Sequence, residues 1–114
     1  MTVVGIGTTA GIRADEVLAA IDAVLPPGAT DVRLATLDAR AAEIGIIAAA
    51  VARRWPLTGY SAAELARVAV PSPSGRVLAR VGTASVAEAA ALLGGGTLLV
   101  PKTVHGRVTV AVAS

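Results

Sequence analysis

The sequence predicts a three-layer α/β/α domain on a mixed, mostly parallel sheet of about five strands, ending in an antiparallel pair. Three observations predict it. Short β-branched runs alternate with helical patterns, which is the order of a layered α/β domain. The early runs are joined by helix-length crossovers, and such crossovers connect parallel strands. The last two runs are joined by a few residues around Gly106, a link short enough only for an antiparallel pair. The 114 residues read as a single domain spanning 1–114, the usual size of one hydrophobic core.

Taken in order, Thr2 to Ile6 is short, apolar and β-branched and reads as a buried strand. Gly7 to Ile12 reads as a loop. From Ala14 to Leu25 the residues Val17, Leu18, Ile21, Val24 and Leu25 recur on one helical face. Asp15 and Glu16 stand in its first turn, where the helix dipole favours acids, and Pro26-Pro27-Gly28 ends it. Asp31 to Leu37 reads as the second strand. Ala41 to Arg54 reads as one Ala-rich helix, with Arg53 and Arg54 beside its last carbonyls and Pro56 beyond. Leu57 to Tyr60 is a short third strand. Ser61 and Glu64 have capping-box spacing, as do Ser85 and Glu88. The second box opens a helix to about Leu93, which Gly94-Gly95-Gly96 stops. Pro71 to Gly75 is a loop. Leu98 to Pro101 and Arg107 to Ala113 are the final strands, with His105-Gly106 in the turn.

Composition narrows the functions available. Hydrophobic residues make up 54% of the chain but aromatics only 2%, with no Phe. Such a core is filled by small and branched side chains, which favours helices lying close on a Val-rich sheet. Uncharged stretches such as Ala89 to Pro101 are shorter than the roughly 20 apolar residues of a membrane span, and glycines interrupt this one. Met1 to Ile12 lacks the basic start and cleavage site of a signal peptide. The expectation is a soluble, cytoplasmic protein that does not bind membranes. Cysteine is absent, so thiolate metal sites, disulfides and Cys nucleophiles are excluded. The net charge is +2, scattered and mixed in sign. It forms no basic stripe and is accompanied by few aromatics, so nucleic acid is not an expected partner.

Four segments carry candidate chemistry. The first, Gly5-Ile6-Gly7-Thr8-Thr9-Ala10-Gly11, follows a strand and contains G-x-G-x-x-A through Gly5, Gly7 and Ala10. In a dinucleotide fold this spacing lets a pyrophosphate approach a helix N-terminus, with Asp38 as the ribose acid. Here the helical period starts only near Ala14, and Asp15 and Glu16 would repel a phosphate. A plain turn, or a loop lining another anionic or polar ligand, are the other readings. The second is Thr36 to Glu43, at the carboxyl end of the second strand, where open α/β sheets bind ligands. In it Asp38 is a candidate N-cap, and Glu43 either completes the helix start or pairs with Arg40. The third is Val81 to Glu88, whose Ser85 and Glu88 are explained by capping, although a helix start also receives carboxylates. The fourth is Pro101 to Arg107. It is either a solvated turn or a grip for carboxylates built from Lys102, His105 and Arg107. It holds the chain's single lysine and single histidine, and no nucleophile elbow appears anywhere.

In this order the segments resemble the CobE/CbiG C-terminal domain family of cobalamin (vitamin B12) biosynthesis, from about Val3 to Ala113. The landmarks are Gly5-Ile6-Gly7, then Thr36 followed by a basic residue and Glu43, Glu64-Leu65, and Pro73-Ser74. After them come Val81-Gly82-Thr83 with Ser85 to Ala90, Leu99-Val100-Pro101-Lys102, and Val108 to Ala111. Two positions depart from the family pattern. Thr8 stands where the family often has Cys, leaving a hydroxyl in place of a thiol. Arg40 stands where Lys is common, which favours bidentate carboxylate contacts.

The resemblance implies a role in cobalamin biosynthesis. Longer members of the CbiG type open a lactone on a cobalt-corrinoid precursor and release a two-carbon fragment, and they carry further N-terminal regions. In size this chain resembles the stand-alone CobE type, which accompanies the oxygen-dependent route. The expectation is therefore an accessory or carrier protein that binds a corrinoid or precorrin intermediate, with other enzymes of the pathway as possible partners. The alternatives are a small hydrolase on a precorrin lactone, with Glu43 or Glu88 as base and Lys102 polarising the carbonyl, and the dinucleotide domain. The expected ligand-binding residues are Gly5, Gly7, Thr8, Thr36, Arg40, Glu43, Thr83, Ser85, Lys102 and His105, and of these Thr8, Thr36, Arg40, Thr83, Ser85 and Lys102 are expected to share one edge of the sheet. No catalytic residue, metal ligand or cofactor is assigned.

Overall fold

The computed structural model describes residues 1–68, 86–94 and 96–114. Along the chain its elements are β1 (Thr2–Thr8), α1 (Ala14–Val24), β2 (Val32–Leu37), α2 (Asp38–Ala41) and α3 (Ile44–Arg53). These are followed by β3 (Leu57–Tyr60), α4 (Ala62–Ala66), α5 (Val86–Gly94), β4 (Leu98–His105) and β5 (Val108–Ala113). The strands form one sheet in the order β3-β2-β1-β5-β4. β1, β2 and β3 are parallel, and β5 is antiparallel to both β1 and β4. Helices cover both faces, so the expected mixed α/β sheet with its antiparallel C-terminal pair is what forms.

Alternation along the strands sorts the two faces. Val4, Ile6, Leu34, Val108, Val110 and Val112 pack with Val17, Ala20 and Ile21 of α1 and Ile46, Ala49 and Ala50 of α3. The opposite face is made mostly of small residues: Ala111 and Ala113 lie against Ala87 and Ala91 of α5, while Ala35 and the branched Val3 lie against Ala89, Ala90 and Leu65. Gly5 explains how close α5 comes. A Cβ added there would lie 1.9 Å from the Ala87 carbonyl oxygen. The same occurs at Gly45, where a Cβ would lie 2.0 Å from the Ile12 carbonyl oxygen, so α3 presses against the loop that follows β1.

Several boundaries differ from the expected ones. β1 continues to Thr8 because Gly7 and Thr8 pair with Thr109 and Val108 of β5. The expected helix over 41–54 is two helices. The chain turns helical already at Asp38, so Asp38 is the first residue of α2 and not its N-cap. It then breaks at Glu43, whose extended backbone (φ −65°, ψ 127°) starts α3. β4 runs to His105, beyond the expected end at Pro101. Pro101 is tolerated because β4 is an edge strand, and the pairing register shifts on either side of Val100. Gly106 then leads a two-residue turn with φ +63°, a conformation that suits the twist of a hairpin. The Ser61–Glu64 capping box forms in both directions, at 3.1 and 3.0 Å. The loop expected over Pro71–Gly75 lies outside the described residues, as does Gly95.

Candidate functional site at the carboxyl edge of the sheet

Three parallel strands end on one edge, and the sequence places polar residues at or just beyond those ends. β1 ends at Thr8, β2 leads directly into α2 with Arg40, and α3 starts behind Glu43. The β4–β5 hairpin reaches the same edge, since His105 pairs with Val108 and Val108 with Thr8. α5 also starts there: a Cβ on Gly7 would lie 3.8 Å from the Val86 Cβ and 3.9 Å from the Ala87 amide nitrogen.

The centre of this edge is the end of β1. The Thr8 hydroxyl is buried and has no hydrogen-bond partner among the described residues. Arg40 reaches back to the same residue, its Nε–H donating to the Thr8 carbonyl (3.2 Å). The terminal nitrogens of Arg40 have no hydrogen bond among the described residues. Glu43 does not pair with Arg40. Its Oε1 accepts the Gly11 N–H, which ties the β1–α1 loop to the start of α3. A second tie crosses 91 positions of sequence: the Arg107 guanidinium donates to both oxygens of Glu16 at 2.7 and 3.2 Å. Glu16 Oε2 also accepts the Arg13 N–H at 3.0 Å. These bonds, that from Arg107 foremost, hold the Glu16 carboxyl below its ordinary value.

Of the expected residues, Gly7, Thr8, Arg40, Glu43 and His105 share this edge. Thr36 is near it but fully buried, and its hydroxyl donates to the Ile6 carbonyl (2.7 Å), stitching β2 to β1. Gly5 is covered by α5. Lys102 lies three positions before His105 on β4, in or beside the irregular part of the ladder, and its backbone N–H is taken by Glu88 of α5. Arg107, expected beside them, is held by Glu16. Thr83 and Ser85 lie outside the described residues. The capping box expected for Glu88 with Ser85 lies outside the described residues, but the fully buried Glu88 carboxylate accepts the Lys102 backbone N–H at 2.9 Å, joining α5 to the edge strand where the ladder is irregular. Sequence spacing did not reveal this bond, nor Glu16–Arg107 or Glu43–Gly11, because each partner arrives from a distant element.

The G-x-G-x-x-A spacing is not a dinucleotide cradle. Its first glycine accommodates α5 and α1 begins only at Ala14, so the three small residues do not surround a helix start.

Comparison with known proteins points one way. The family described as "Cobalamin synthesis G C-terminus" matches residues 2–113. Protein CobE of Sinorhizobium sp is 42% identical over 122 aligned positions, covering 97% of this chain and 78% of its own. A crystal structure of CobE, titled as a protein from the cobalamin (vitamin B12) biosynthetic pathway, superposes with a TM-score of 0.83 at 30% identity, covering 98% of this chain and 88% of its own. The cobalamin biosynthesis protein chiG from Agrobacterium tumefaciens str. C58 superposes at 0.71 with 32% identity, covering 98% and 96%.

Proposed function

The chain belongs to the CbiG C-terminal family of cobalamin biosynthesis proteins, and from that premise we propose that it binds a corrinoid or precorrin intermediate at the carboxyl edge of its sheet, as an accessory or carrier. The observation that carries the reading is the Thr8 hydroxyl, buried and without a partner among the described residues, in a residue whose carbonyl Arg40 holds. A buried hydroxyl without a partner costs about 1–3 kcal/mol, and a ligand that hydrogen-bonds to it recovers that cost. Corrin precursors carry acetate and propionate carboxylates around a flat apolar ring. The Arg40 guanidinium is suited to such a carboxylate, with the start of α5 over Gly7 and the hairpin at His105 on either side. Glu43 acts through the loop, holding Gly11 so that Thr8 and Arg40 keep their places.

The hydrolase reading has less to stand on. Glu43 is held by the Gly11 amide and the buried Glu88 by the Lys102 amide, so each candidate base is already engaged within the fold.

The test is titration with a polycarboxylate corrinoid, hydrogenobyrinic acid, followed by the ligand's own absorbance. Trp55 is a poor reporter, because it sits at the opposite edge between α3 and β3, with Arg53 over its ring at 5.4 Å. Saturable binding is expected, weakened about 10-fold or more by Arg40→Ala, as for loss of a charge-assisted hydrogen bond. Thr8→Val discriminates further. It removes an unsatisfied hydroxyl, so it is expected to stabilise the free protein while weakening binding. Absence of binding, or binding that neither substitution alters, overturns the proposal.

A further inference from the structure

The face of the sheet that carries α5 holds a pocket toward its amino end. The side chains there come from matched positions of three strands: Val3 pairs with Arg33, and Ala35 with Thr58. Val3 and Ala35 pack with α4 and α5, and alternation along β2 puts Arg33 on the same side. α5 ends at Gly94, against Val3. A Cβ added to Gly94 would lie 3.0 Å from a Val3 methyl and 3.6 Å from the Tyr60 hydroxyl. A helix ending on glycine over a sheet floored by alanine leaves a gap. The gap is a pocket of about 90 Å³ whose lining includes Val3, Arg33, Ala35, Thr58, Tyr60 and Gly94.

The polar groups of this lining are underused. The Thr58 and Tyr60 hydroxyls make no hydrogen bond among the described residues. The Arg33 side chain is 50% exposed, and its partner among those residues is Asp31. Nε and Nη2 both turn to the single oxygen Oδ1, each at 3.4 Å. A guanidinium in full contact with a carboxylate takes both oxygens at about 2.7–2.9 Å. Asp31 reaches its place through a left-handed backbone (φ 50°), a region that residues other than glycine seldom enter. Its carbonyl accepts the Thr2 N–H at 3.1 Å, which fixes that conformation to the start of β1. The chain thus sets one carboxylate beside Arg33 at a distance that leaves the guanidinium unsaturated.

We propose that this pocket is a second binding site, one for a short aliphatic carboxylate. Val3 and Ala35 receive the chain, Arg33 receives the carboxylate in place of its long contact to Asp31, and Thr58 and Tyr60 supply further donors. Volume sets the length of the chain. A cavity of about 150 Å³ takes benzene, so the 90 Å³ here takes roughly three or four carbons. The site is separate from Thr8, which lies five residues farther along β1, about 17 Å in an extended strand.

The probe is sodium butyrate, titrated into the full chain to about 50 mM as a millimolar ligand requires, with the amide NMR signals of Val3, Arg33, Thr58 and Gly94 followed. Saturable shifts at these amides are expected, and none with butyramide, which has the same shape without the charge. Arg33→Gln should weaken butyrate about 10-fold or more, as for loss of a charge-assisted hydrogen bond. Asp31→Asn is the sharper variant. It removes the competing carboxylate and keeps a residue at home in the left-handed region, so butyrate should bind about 3-fold tighter or more. An Asp31–Arg33 pair with a structural role only would give no gain. Hydrogenobyrinic acid, titrated separately, distinguishes a free acid from the same group on the arm of a larger molecule: movement of these amides that Arg33→Gln abolishes assigns the pocket to the arm. No saturable shift with either probe, an equal response to butyramide, or no tightening in Asp31→Asn overturns the proposal. Thr8 and Gly11 report the carboxyl edge in the same spectra, so this reading and the corrinoid reading fail separately.

Discussion

On one face of the sheet the strands offer Val4, Ile6, Leu34, Val108, Val110 and Val112 to α1 and α3; on the other they offer Gly5, Ala35, Ala111 and Ala113 to α5 and its neighbours. The first face is filled by volume, with branched side chains meeting branched side chains. The second is filled by proximity, with the backbone of α5 almost touching the backbone of β1. A core without Phe needs both solutions. Branched residues supply apolar area on one side, and small ones remove the gap on the other, so neither side is left with voids.

The two faces should therefore fail in opposite ways. The largest effect is expected from Gly5→Val, which inserts three carbons where even one lies 1.9 Å from a backbone oxygen. It should cost more than about 3 kcal/mol in urea unfolding, at or above the top of the usual overpacking range. Gly7→Ala is its control: the added Cβ meets its neighbours at 3.8–3.9 Å, ordinary contact distances, so a change within about 1 kcal/mol is expected. A severe loss at Gly7 would show that the close approach of α5 extends to its first turn. On the branched face, Ile21→Ala empties a fully buried position and should cost about 2–4 kcal/mol by cavity formation. If Ile21→Ala were tolerated as well as Gly7→Ala, the contrast between the faces would not hold.

The smallest effect belongs to the surface outside the branched face. The Arg53 guanidinium hydrogen-bonded to Asp22 holds that carboxyl below its ordinary 3.8. A carboxyl with a lower value folded than unfolded contributes stability above the unfolded value, and that contribution is lost as pH falls through the folded one. Asp22→Asn should thus flatten the decline of stability below about pH 4. The pair is half exposed, so the loss at neutral pH should be about 0.5 kcal/mol or less. Thermal melts at pH 3 and pH 7 measure both.

The site divides along similar lines. Thr8, Arg40 and Glu43 were legible because parallel strands end where their loops begin, so order along the chain implies position at the edge. Gly5 was legible as a special residue, but its partner was misread. A glycine without a Cβ serves a ligand or a helix equally well, and only the packed structure distinguishes them. Lys102 and His105 look like neighbours in the sequence. The strand that holds them runs four residues past its expected end and is irregular beside Lys102, whose amide is taken by Glu88.

Periodicity and connection length within a few residues were enough to read the alternation of strands and helices and the parallel and antiparallel connections from the chain alone. The tertiary structure alone decided the break at Glu43, the burial of Glu88 against the Lys102 amide and the Glu16–Arg107 tie. Each of these depends on which distant surface arrives, and a local pattern of residues carries no record of that.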